Sequence, residues 1–412
     1  MTQNDAGGPV SDDRRRSRPV WATAALVERI FTETRRLGGE ARIVGGAVRD
    51  WCSGAPVGDI DMAVNLPIER FAGHFDAIGV KVVETGLKFG TVTLIDGDTA
   101  IEVTQTRIDV ETDGRHATVA HSTDWTADAM RRDFTVNALY LDAEGRVHDP
   151  LGGLADLRAG HLRFAGEADL RVREDALRML RYCRFLPRFI KGGIDPEARR
   201  ALTAHAALCQ RLSGERVAHE MRRILVGAQL GMVVRLMHET ELDVYAVGVP
   251  LDAARLGDLE PMEEPIFANM GWLAGLAVLM PSGAAETVAR RLRLGRAESR
   301  LLSDIDRDIS PSELDALNGG GWQKLAYFMG PNLPVRFAVQ SFRQGRLPDD
   351  SLLEVLRDWR RPVFPLRGAD LLSHGVDNGP GVGQMLEHAE RRWVASGFSL
   401  GKAALLSWLI GD

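Results

Sequence analysis

The sequence predicts an α+β fold, in which an N-terminal α/β head with a small mixed sheet precedes an elongated all-helical body. Three observations lead to this prediction. Short apolar and β-branched runs with turn residues between them crowd the stretch 41–106. From about Asp169 onward the spacing of apolar residues is almost wholly helical. The chain has 412 residues, which is enough for two to four domains.

The elements are predicted in chain order as follows. A polar start, which includes the run Arg14-Arg15-Arg16-Ser17-Arg18, is predicted to be a disordered tail. Helices are predicted over 21–37 and 67–78. Strands are predicted over 41–44, 59–64, 80–84, 91–95 and 100–106. Glycine and proline residues predict breaks in the helical part near 192–193, 246–265 and 361–368.

Composition excludes several classes of protein. The chain is 45% hydrophobic and 26% charged, as is usual for a globular protein. It contains no run of eighteen apolar residues, so no membrane contact is expected. The acidic, non-apolar N-terminus argues against a targeting signal, and Cys52, Cys183 and Cys209 lack metal-ligand spacing. We therefore expect a cytoplasmic protein with reduced thiols.

The net charge of −6 is unfavourable for a protein that binds nucleic acid, but the charge is unevenly distributed. Residues 160–230 contain fourteen Arg or Lys against eight Asp or Glu. A second basic cluster is predicted on a helix pair and consists of Arg290, Arg291, Arg293, Arg296 and Arg300. A phosphate backbone is one partner for such surfaces. Ordinary arginine-rich helices are the alternative, which the sequence leaves open.

The first candidate site begins where the strand 41–44 meets two glycines. Residues 45–50 read Gly-Gly-Ala-Val-Arg-Asp. Gly45 and Gly46 allow the backbone to approach a phosphate, and the helix predicted after them favours an anion at its N-terminus.

Two carboxylates, Asp59 and Asp61, follow about a dozen residues later. On a strand both would lie on one face, with Ile60 in the core. Adjacent carboxylates repel each other unless a divalent cation lies between them, and Mg²⁺ prefers hard oxygen ligands. Together with the glycines, they indicate a nucleotidyl-transfer site that holds Mg²⁺. Either motif alone is common in ordinary turns and strands.

Glu102 lies on the predicted strand 100–106 and is a candidate third carboxylate. It is also interpretable as an edge-strand acid that faces water, and the sequence does not decide between the two. The polar segment 108–123 is long for a connection in a compact domain, so we expect a mobile or functional loop there.

Two further motifs carry several charges each. Residues 131–138 read Arg-Arg-Asp-Phe-Thr-Val-Asn-Ala, and arginines at a helix start suit triphosphate oxygens. Residues 173–181 read Arg-Glu-Asp-Ala-Leu-Arg-Met-Leu-Arg, which on one helix places four charges on one arc; these are Glu174, Asp175, Arg178 and Arg181. A capped helix and ordinary surface ion pairs are the respective alternatives.

These motifs, in this order, resemble the DNA polymerase β nucleotidyltransferase superfamily, and within it the class II tRNA nucleotidyltransferases and bacterial poly(A) polymerases. The resemblance is close over 42–189 and looser over the helical body. It implies a template-independent enzyme that transfers CMP and AMP from CTP and ATP to the 3′ end of tRNA, with release of pyrophosphate and two Mg²⁺ ions. Poly(A) polymerase, CC-only or A-only addition, and a catalytically silent RNA-binding protein remain alternatives.

The resemblance also implies roles for individual residues. Asp59, Asp61 and Glu102 would be catalytic, with the two aspartates as metal ligands. Nucleotide binding would fall to Gly45, Gly46, Arg49, Arg132, Asp133, Asn137, Glu174, Asp175, Arg178 and Arg181. Relatives use a flexible loop at 108–123 when they switch from cytidine to adenosine addition.

Selection of the base follows from hydrogen bonding. Cytosine and adenine each present an amino donor beside a ring-nitrogen acceptor, which would meet Asp175 and Arg178. Uracil and guanine present the opposite pattern, and leaving both protein groups unpaired costs on the order of 1–3 kcal/mol each.

From the same resemblance we predict five segments and leave the oligomeric state open. They are a disordered tail (1–19), a nucleotidyltransferase head like that of polymerase β (20–150), a nucleobase-selecting neck (151–230), a helical body (231–360) and a helical tRNA-binding tail (361–412).

Overall fold

A mixed sheet of seven strands forms the centre of the N-terminal region. The computed structural model describes residues 18–112, 117–259, 262–310, 312–313, 317, 321–344 and 346–411. These fall into two units, one reaching to Ile224 and including Leu236–Ala246, the other comprising Leu225–Arg235 and Val247–Asp412. The five predicted segments remain a prediction.

The strand order of the sheet is β3-β4-β5-β2-β1-β8-β9. β2 and β5 are parallel, whereas the other neighbouring strands are antiparallel. The predicted mixed sheet is therefore confirmed. Its strands are β1 (Ala41–Val44), β2 (Asp61–Val64), β3 (Lys81–Gly86), β4 (Thr91–Asp96), β5 (Thr99–Gln105), β8 (Tyr140–Leu141) and β9 (Val147–His148).

Three helices cover this sheet: α1 (Ala25–Arg36), α2 (Gly46–Ser53) and α3 (Ile68–Ala77). Their apolar faces share one core with the strands, and Ile30 of α1, Phe71 of α3 and Ile43 of β1 are fully buried in it. Burying such side chains is the main favourable contribution to folding. The same core fixes the ends of β1 and β2, where the candidate site begins.

The prediction of a loop over 108–123 is wrong. Most of it forms a hairpin of β6 (Arg107–Thr112) and β7 (Ala117–His121), and its register shifts between Asp109 and Glu111. Paired backbone groups on both strands explain why so polar a segment is not an open loop. Residues 113–116 lie outside the described part of the chain.

Helices follow almost without interruption, as the sequence predicts. In the first unit they are α4 (Trp125–Met130), α5 (Gly153–Ala159), α6 (Ala168–Glu174), α7 (Leu177–Phe185), α8 (Pro196–His205) and α9 (Gly214–Leu225). 3₁₀ segments cover Leu186–Gly192 and Ala206–Arg211. α10 (Leu230–Glu239) and α11 (Leu242–Val247) lie where the chain changes units.

The second unit is helical in its described residues. A 3₁₀ segment (Ala253–Leu259) precedes α12 (Trp272–Leu279), α13 (Ala285–Leu292), α14 (Arg296–Ile305), α15 (Trp322–Met329), α16 (Leu333–Arg343), α17 (Asp350–Asp358), α18 (Gly368–Leu372), α19 (Pro380–Ala395) and α20 (Lys402–Ile410). Near its end, Tyr327, Trp393 and Leu405 belong to one buried cluster. In the described part of the chain, no helix is both long and apolar enough to cross a membrane.

Some predicted boundaries differ from the structure. The first helix was expected over 21–37, but a 3₁₀ turn at Val20–Thr23 precedes α1. The strand expected from residue 59 begins only at Asp61, because the facing residue on β1 is Val44 and the chain turns away after it. β8 and β9 have two residues each and are too short to show a period in sequence.

Candidate active site

The glycine turn lies at the end of β1. Gly45 adopts a φ of 70°, and its N–H donates to the carbonyl of Leu139 at 3.1 Å. A side chain there would be strained, since this backbone region is disfavoured for residues with a Cβ. The position of such a Cβ lies 3.6 Å from Nη1 of Arg132, which places that guanidinium beside the turn.

Asp61 and Glu102 come from adjacent parallel strands. They are direct partners in the β2–β5 register, so their side chains lie on the same face of the sheet. Asp59 precedes β2 instead of belonging to it, and the expected alternation along one strand does not place it. Among the described residues, none of the three carboxylates has a hydrogen bond or an ion pair from its side chain.

Electrostatics show that these acids influence one another. Burial, followed by the negative charges of Glu102 and Asp59, raises the pKa of Asp61 to about 6, although Arg132 opposes the shift. Within the described ranges, no group of three or more His, Cys, Asp or Glu side chains is arranged to hold a metal. The carboxylate oxygens of Asp59, Asp61 and Glu102 are nevertheless of the ligand type that a hard cation favours.

The arginine pair follows a helix end, whereas a helix start was expected. α4 ends at Met130, and Arg131 is its C-terminal cap. Arg132 donates from Nε to the Tyr140 hydroxyl and from Nη2 to Asp128 Oδ2, both at 3.1 Å. Its Nη1 is thus left to face the glycine turn and the carboxylates.

The sequence reasoning missed Asp128. Its side chain is fully buried and binds Arg131, Arg132 and the Tyr140 hydroxyl. Burial opposes ionisation of Asp128, but the two arginines and the hydroxyl hold its pKa below the usual value. The spacing of three and four residues to the arginines was the available signal.

Asp133 and Asn137 are engaged within the protein. Asp133 Oδ1 accepts from the Phe134 N–H and from Asn137 Nδ2, both at 2.9 Å. Asp133 Oδ2 accepts from Nε of Arg181 at 2.9 Å. Burial works against the charge of Asp133, yet Arg181, Asn137 and Phe134 keep its pKa below the usual range.

Arg49 extends this set of contacts. Its Nη1 donates to Asn137 Oδ1 at 2.5 Å, and its Nε and Nη2 donate to the two oxygens of Asp50 at 2.9 Å each. Arg188 also donates to Asp50, at 2.6 Å. Arg49 is only 6% exposed, so in this structure it holds its neighbours in place.

The motif 173–181 is divided between two helices, whereas one helix was expected. α6 ends at Glu174, and Asp175 has an extended backbone with φ −147° and ψ 105°. Asp175 Oδ1 accepts from the Leu177 N–H at 3.1 Å, which stabilises the start of α7. Asp175 Oδ2 accepts from Arg216 at 2.9 Å.

Glu174 and Arg178 bridge the two helices. Arg178 Nη1 donates to Glu174 at 2.7 Å and to the Arg171 carbonyl at 2.9 Å. Arg178 Nη2 donates to the Arg131 carbonyl at 3.0 Å, and Arg171 donates to the carbonyls of Arg131 and Arg132. These contacts place the candidate base-reading residues beside the arginine pair of the head.

Arg184, which the sequence reasoning also passed over, completes a basic cluster. It lies 2.7 Å from the buried carboxylate of Glu220. Its guanidinium stands 4.4 Å from the centre of the Phe185 ring, over which Arg49 and Arg181 also lie. Burial and the charges of Arg181 and Arg223 lower the pKa of Arg184 against the effect of Glu220.

Comparison with known families matches two parts of the chain. Residues 41–163 match the family described as "Poly A polymerase head domain". Residues 193–245 match "Probable RNA and SrmB- binding site of polymerase A". The first match lies within the first unit, whereas the second also includes residues 225–235 of the second unit.

Individual relatives match nearly the whole chain. The Danio rerio protein "CCA tRNA nucleotidyltransferase 1, mitochondrial" is 35% identical over 383 residues, which cover 90% of this chain and 87% of that protein. The Homo sapiens protein of the same name is 31% identical and is covered to 86%. A solved structure of the Bacillus stearothermophilus CCA-adding enzyme in complex with CTP has a TM-score of 0.75 at 28% identity, over 93% of this chain and 95% of that one. Because some relatives are mitochondrial, the cytoplasmic location stays a prediction.

Proposed function

The chain belongs to the family of CCA tRNA nucleotidyltransferases, and we propose that it adds CMP and AMP from CTP and ATP to the 3′ end of tRNA, with release of pyrophosphate. The observation that supports this chemistry is the proximity of three carboxylates. The parallel register of β2 and β5 places Asp61 and Glu102 on one face, and Asp59 lies near enough to raise the pKa of Asp61.

Enzymes of this family are generally metal-dependent. We propose Mg²⁺ as the metal, with Asp59 and Asp61 as its ligands and Glu102 as the third carboxylate of the site. When bound, Mg²⁺ would activate the 3′ hydroxyl of the RNA and offset charge on the phosphate oxygens. The fit rests on the absence of any other side-chain partner for these acids among the described residues, which leaves their oxygens available.

The triphosphate would be held by the glycine turn and Arg132. The φ of 70° at Gly45 and the lack of a side chain leave room beside Nη1 of Arg132. A guanidinium suits phosphate oxygens, and Asp128 and Tyr140 fix the other two nitrogens of Arg132. The group is therefore oriented before the nucleotide arrives, which lowers the reorganisation that binding requires.

The base would be read by Asp175 and Arg178. Asp175 keeps about a third of its side chain exposed while its backbone is fixed at the α6–α7 break. Glu174 orients Arg178 by a 2.7 Å contact. Selection of C and A over U and G then follows from donor and acceptor matching, without a nucleic-acid template.

Arg181, Asp133 and Asn137 have a supporting role in this proposal. They bind one another and Arg49, so they hold the base-reading helix against the head. Polar networks of this kind, when fully satisfied, give a site a unique geometry.

Sibling activities are the alternatives. A poly(A) polymerase or an enzyme that adds only CC or only A would carry the same residues. A silent RNA-binding protein would not need to keep Asp59, Asp61 and Glu102 unpaired, and unpaired acids that repel one another reduce stability.

The test uses purified full-length protein, Mg²⁺ and a tRNA transcript that lacks its last three nucleotides. With CTP alone we expect two additions, and with CTP and ATP three additions followed by a stop. A long ladder with ATP alone would indicate a poly(A) polymerase. No addition with any nucleotide would contradict the proposal of an active transferase.

A further inference from the structure

A closed chain of polar contacts links the catalytic head with α7 and the 3₁₀ segment that follows it. Arg181 binds Asp133, Asp133 binds Asn137, and Asn137 accepts from Arg49. Arg49 is held by both oxygens of Asp50. The last link is Arg188, which donates to Asp50 Oδ1 at 2.6 Å and lies seven residues beyond Arg181 along the same stretch of chain.

The links of this ring differ in burial. Arg49, Asp133 and Asn137 are all less than 10% exposed, so their contacts are part of the packed interior. The Arg188 side chain is 44% exposed, whereas that of Asp50 is 15% exposed. An exposed ion pair contributes little to stability, because solvent screens it and two long side chains lose freedom. The contact between Arg188 and Asp50 is therefore poorly explained by stability alone.

The position of the Arg188–Asp50 ion pair explains the contact better than stability does. Arg178 and Arg181 attach the helix α7 to Arg131 and Asp133 of the head, but neither donates a hydrogen bond to α2. Arg188 supplies a further attachment on the same stretch, and it reaches the helix α2 that begins at the glycine turn. This ion pair therefore adds a restraint on the direction of α7 relative to α2.

We infer that Arg188 is a positioning residue for base selection, which acts through Asp50 and Arg49 to hold α7 at a fixed orientation to the glycine turn. The base-reading residue Arg178 lies on α7, and Asp175 begins it, so a change in this orientation moves both relative to the triphosphate. Displacement of about 1 Å from a productive geometry can cost roughly 100-fold in rate. This inference rests on the proposed function of the same site.

The test compares Arg188→Ala with Arg199→Ala. Arg199 is a matched control, because it is also an arginine of the first unit, is also 44% exposed, and also forms an ion pair, with Glu239 at 2.5 Å. Equilibrium dialysis would give the affinities of each protein for CTP and for UTP, and primer extension would give KM and kcat for CTP. Thermal unfolding would be measured on the same samples.

We expect Arg188→Ala to reduce the ratio of CTP to UTP affinity about 10-fold and to raise KM for CTP about as much. The maximal rate would change less than about threefold, since the acids of the site are untouched. Arg188→Lys would retain part of the ratio, because a point charge still reaches Asp50 without the planar fork of arginine. Arg199→Ala would match the unmodified protein, and neither variant would shift the melting temperature appreciably.

Other results would overturn the inference. If Arg188→Ala keeps the original CTP to UTP ratio, or if Arg199→Ala loses it equally, Arg188 does not position the base-reading helix. A lower melting temperature with an unchanged ratio would assign Arg188 a purely structural role.

The dialysis arm separates this inference from the proposed function. If the unmodified protein binds CTP selectively but extends no tRNA, the proposed transfer fails while the effect of Arg188 on selection is still measured. If it binds CTP no better than UTP, the base-reading function and this inference both fail.

Discussion

All fourteen basic side chains of residues 160–230 lie in the first unit, and at least ten of them lie beside an acidic partner. In the second unit, by contrast, Arg296 and Arg300 of α14 and Arg307 just after it have no ion-pair partner among the described residues. All three are exposed. Arg300 and Arg307 line an open cavity of about 360 Å³ together with Ser299, Ser303 and Asp304.

The comparison shows that local net charge does not reveal how many basic side chains already have an acidic partner within the protein. The excess charge of residues 160–230 is largely used inside the protein, where Arg181, Arg178 and Arg171 hold two helices and the head together. An arginine without a partner keeps its donors available to phosphate. The same distinction applies to acids, since Asp59, Asp61 and Glu102 also lack partners in the described part of the chain.

The largest effect is expected for the unpaired carboxylates of the candidate active site. Asp59→Ala should reduce the turnover of tRNA by about 1,000-fold or more, because removal of a metal ligand removes several kcal/mol of transition-state stabilisation. Single-turnover extension of tRNA measures this loss. The melting temperature should be unchanged, since the Asp59 side chain has no partner among the described residues.

Asp76→Ala is the control for that variant, because Asp76 is an exposed acid at the end of α3. It should extend tRNA at the normal rate. Normal turnover in Asp59→Ala would contradict the assignment of Asp59 as a metal ligand. Equal losses of turnover in both variants would indicate a general effect of charge.

The second prediction concerns an acid that is paired with an arginine within the protein. Asp133→Asn should lower the free energy of unfolding by about 2–3 kcal/mol, because it leaves the Arg181 guanidinium without its counter-charge in a mostly buried site. Urea unfolding followed by circular dichroism measures it. A change below about 0.5 kcal/mol would mean that the pair is not structural.

The pH dependence of stability follows from the same carboxyl group. Its pKa in the folded protein lies below the ordinary value, so its contribution to stability is fully present above the unfolded-state pKa of about 4. That contribution is lost as the pH falls through the folded-state value. The free energy of unfolding should therefore fall less steeply with decreasing pH in Asp133→Asn than in the unmodified protein. Identical slopes in the two proteins would contradict the role assigned to Asp133.

A smaller effect is expected for the exposed arginines on and just after α14. The double variant Arg300→Ala, Arg307→Ala should raise KM for tRNA about 10-fold, and the salt dependence of tRNA binding should fall by about one unit of slope for each lost phosphate contact. Primer extension measures KM for tRNA. Fluorescence anisotropy at several salt concentrations measures the salt dependence of tRNA binding.

Arg290→Ala, on the preceding helix α13, is the matched control for this double variant. Arg290 is exposed as well, but it is paired with Glu286 at 2.7 Å. Its loss should leave the salt slope unchanged. If Arg290→Ala weakens binding as much as the double variant does, the distinction between paired and unpaired arginines does not identify the RNA surface.

The smallest effect concerns exposed pairs within the basic region itself. Arg200 and Glu197 are separated by one helical turn, at 3.0 Å, and about 70% of each side chain is exposed. Arg200→Ala should change the free energy of unfolding by less than about 0.5 kcal/mol and leave base selection intact. Differential scanning calorimetry and the CTP to UTP ratio would reveal any larger role.

Much of the head was predictable because its signals are local. β1 agrees with the structure in full, and four further strands agree to within two residues at their ends. The division of the motif 173–181 was not predicted, because the helical spacing of its charges continues through Asp175, whereas the Asp175 side chain accepts from the Leu177 N–H and competes with helix continuation. The hairpin in 107–121 was missed because its strands are polar and lack a clear apolar period.

The sequence by itself determined the family, the α+β fold class and the candidate carboxylates, since these depend on motif order and on local periodicity. Only the tertiary structure decided which of those charges are free and which are occupied. The partners of Asp50 and Asp133 are Arg188 and Arg181, which lie 138 and 48 residues away along the chain. Packing brings such residues together, and no local pattern in the sequence specifies a contact over that separation.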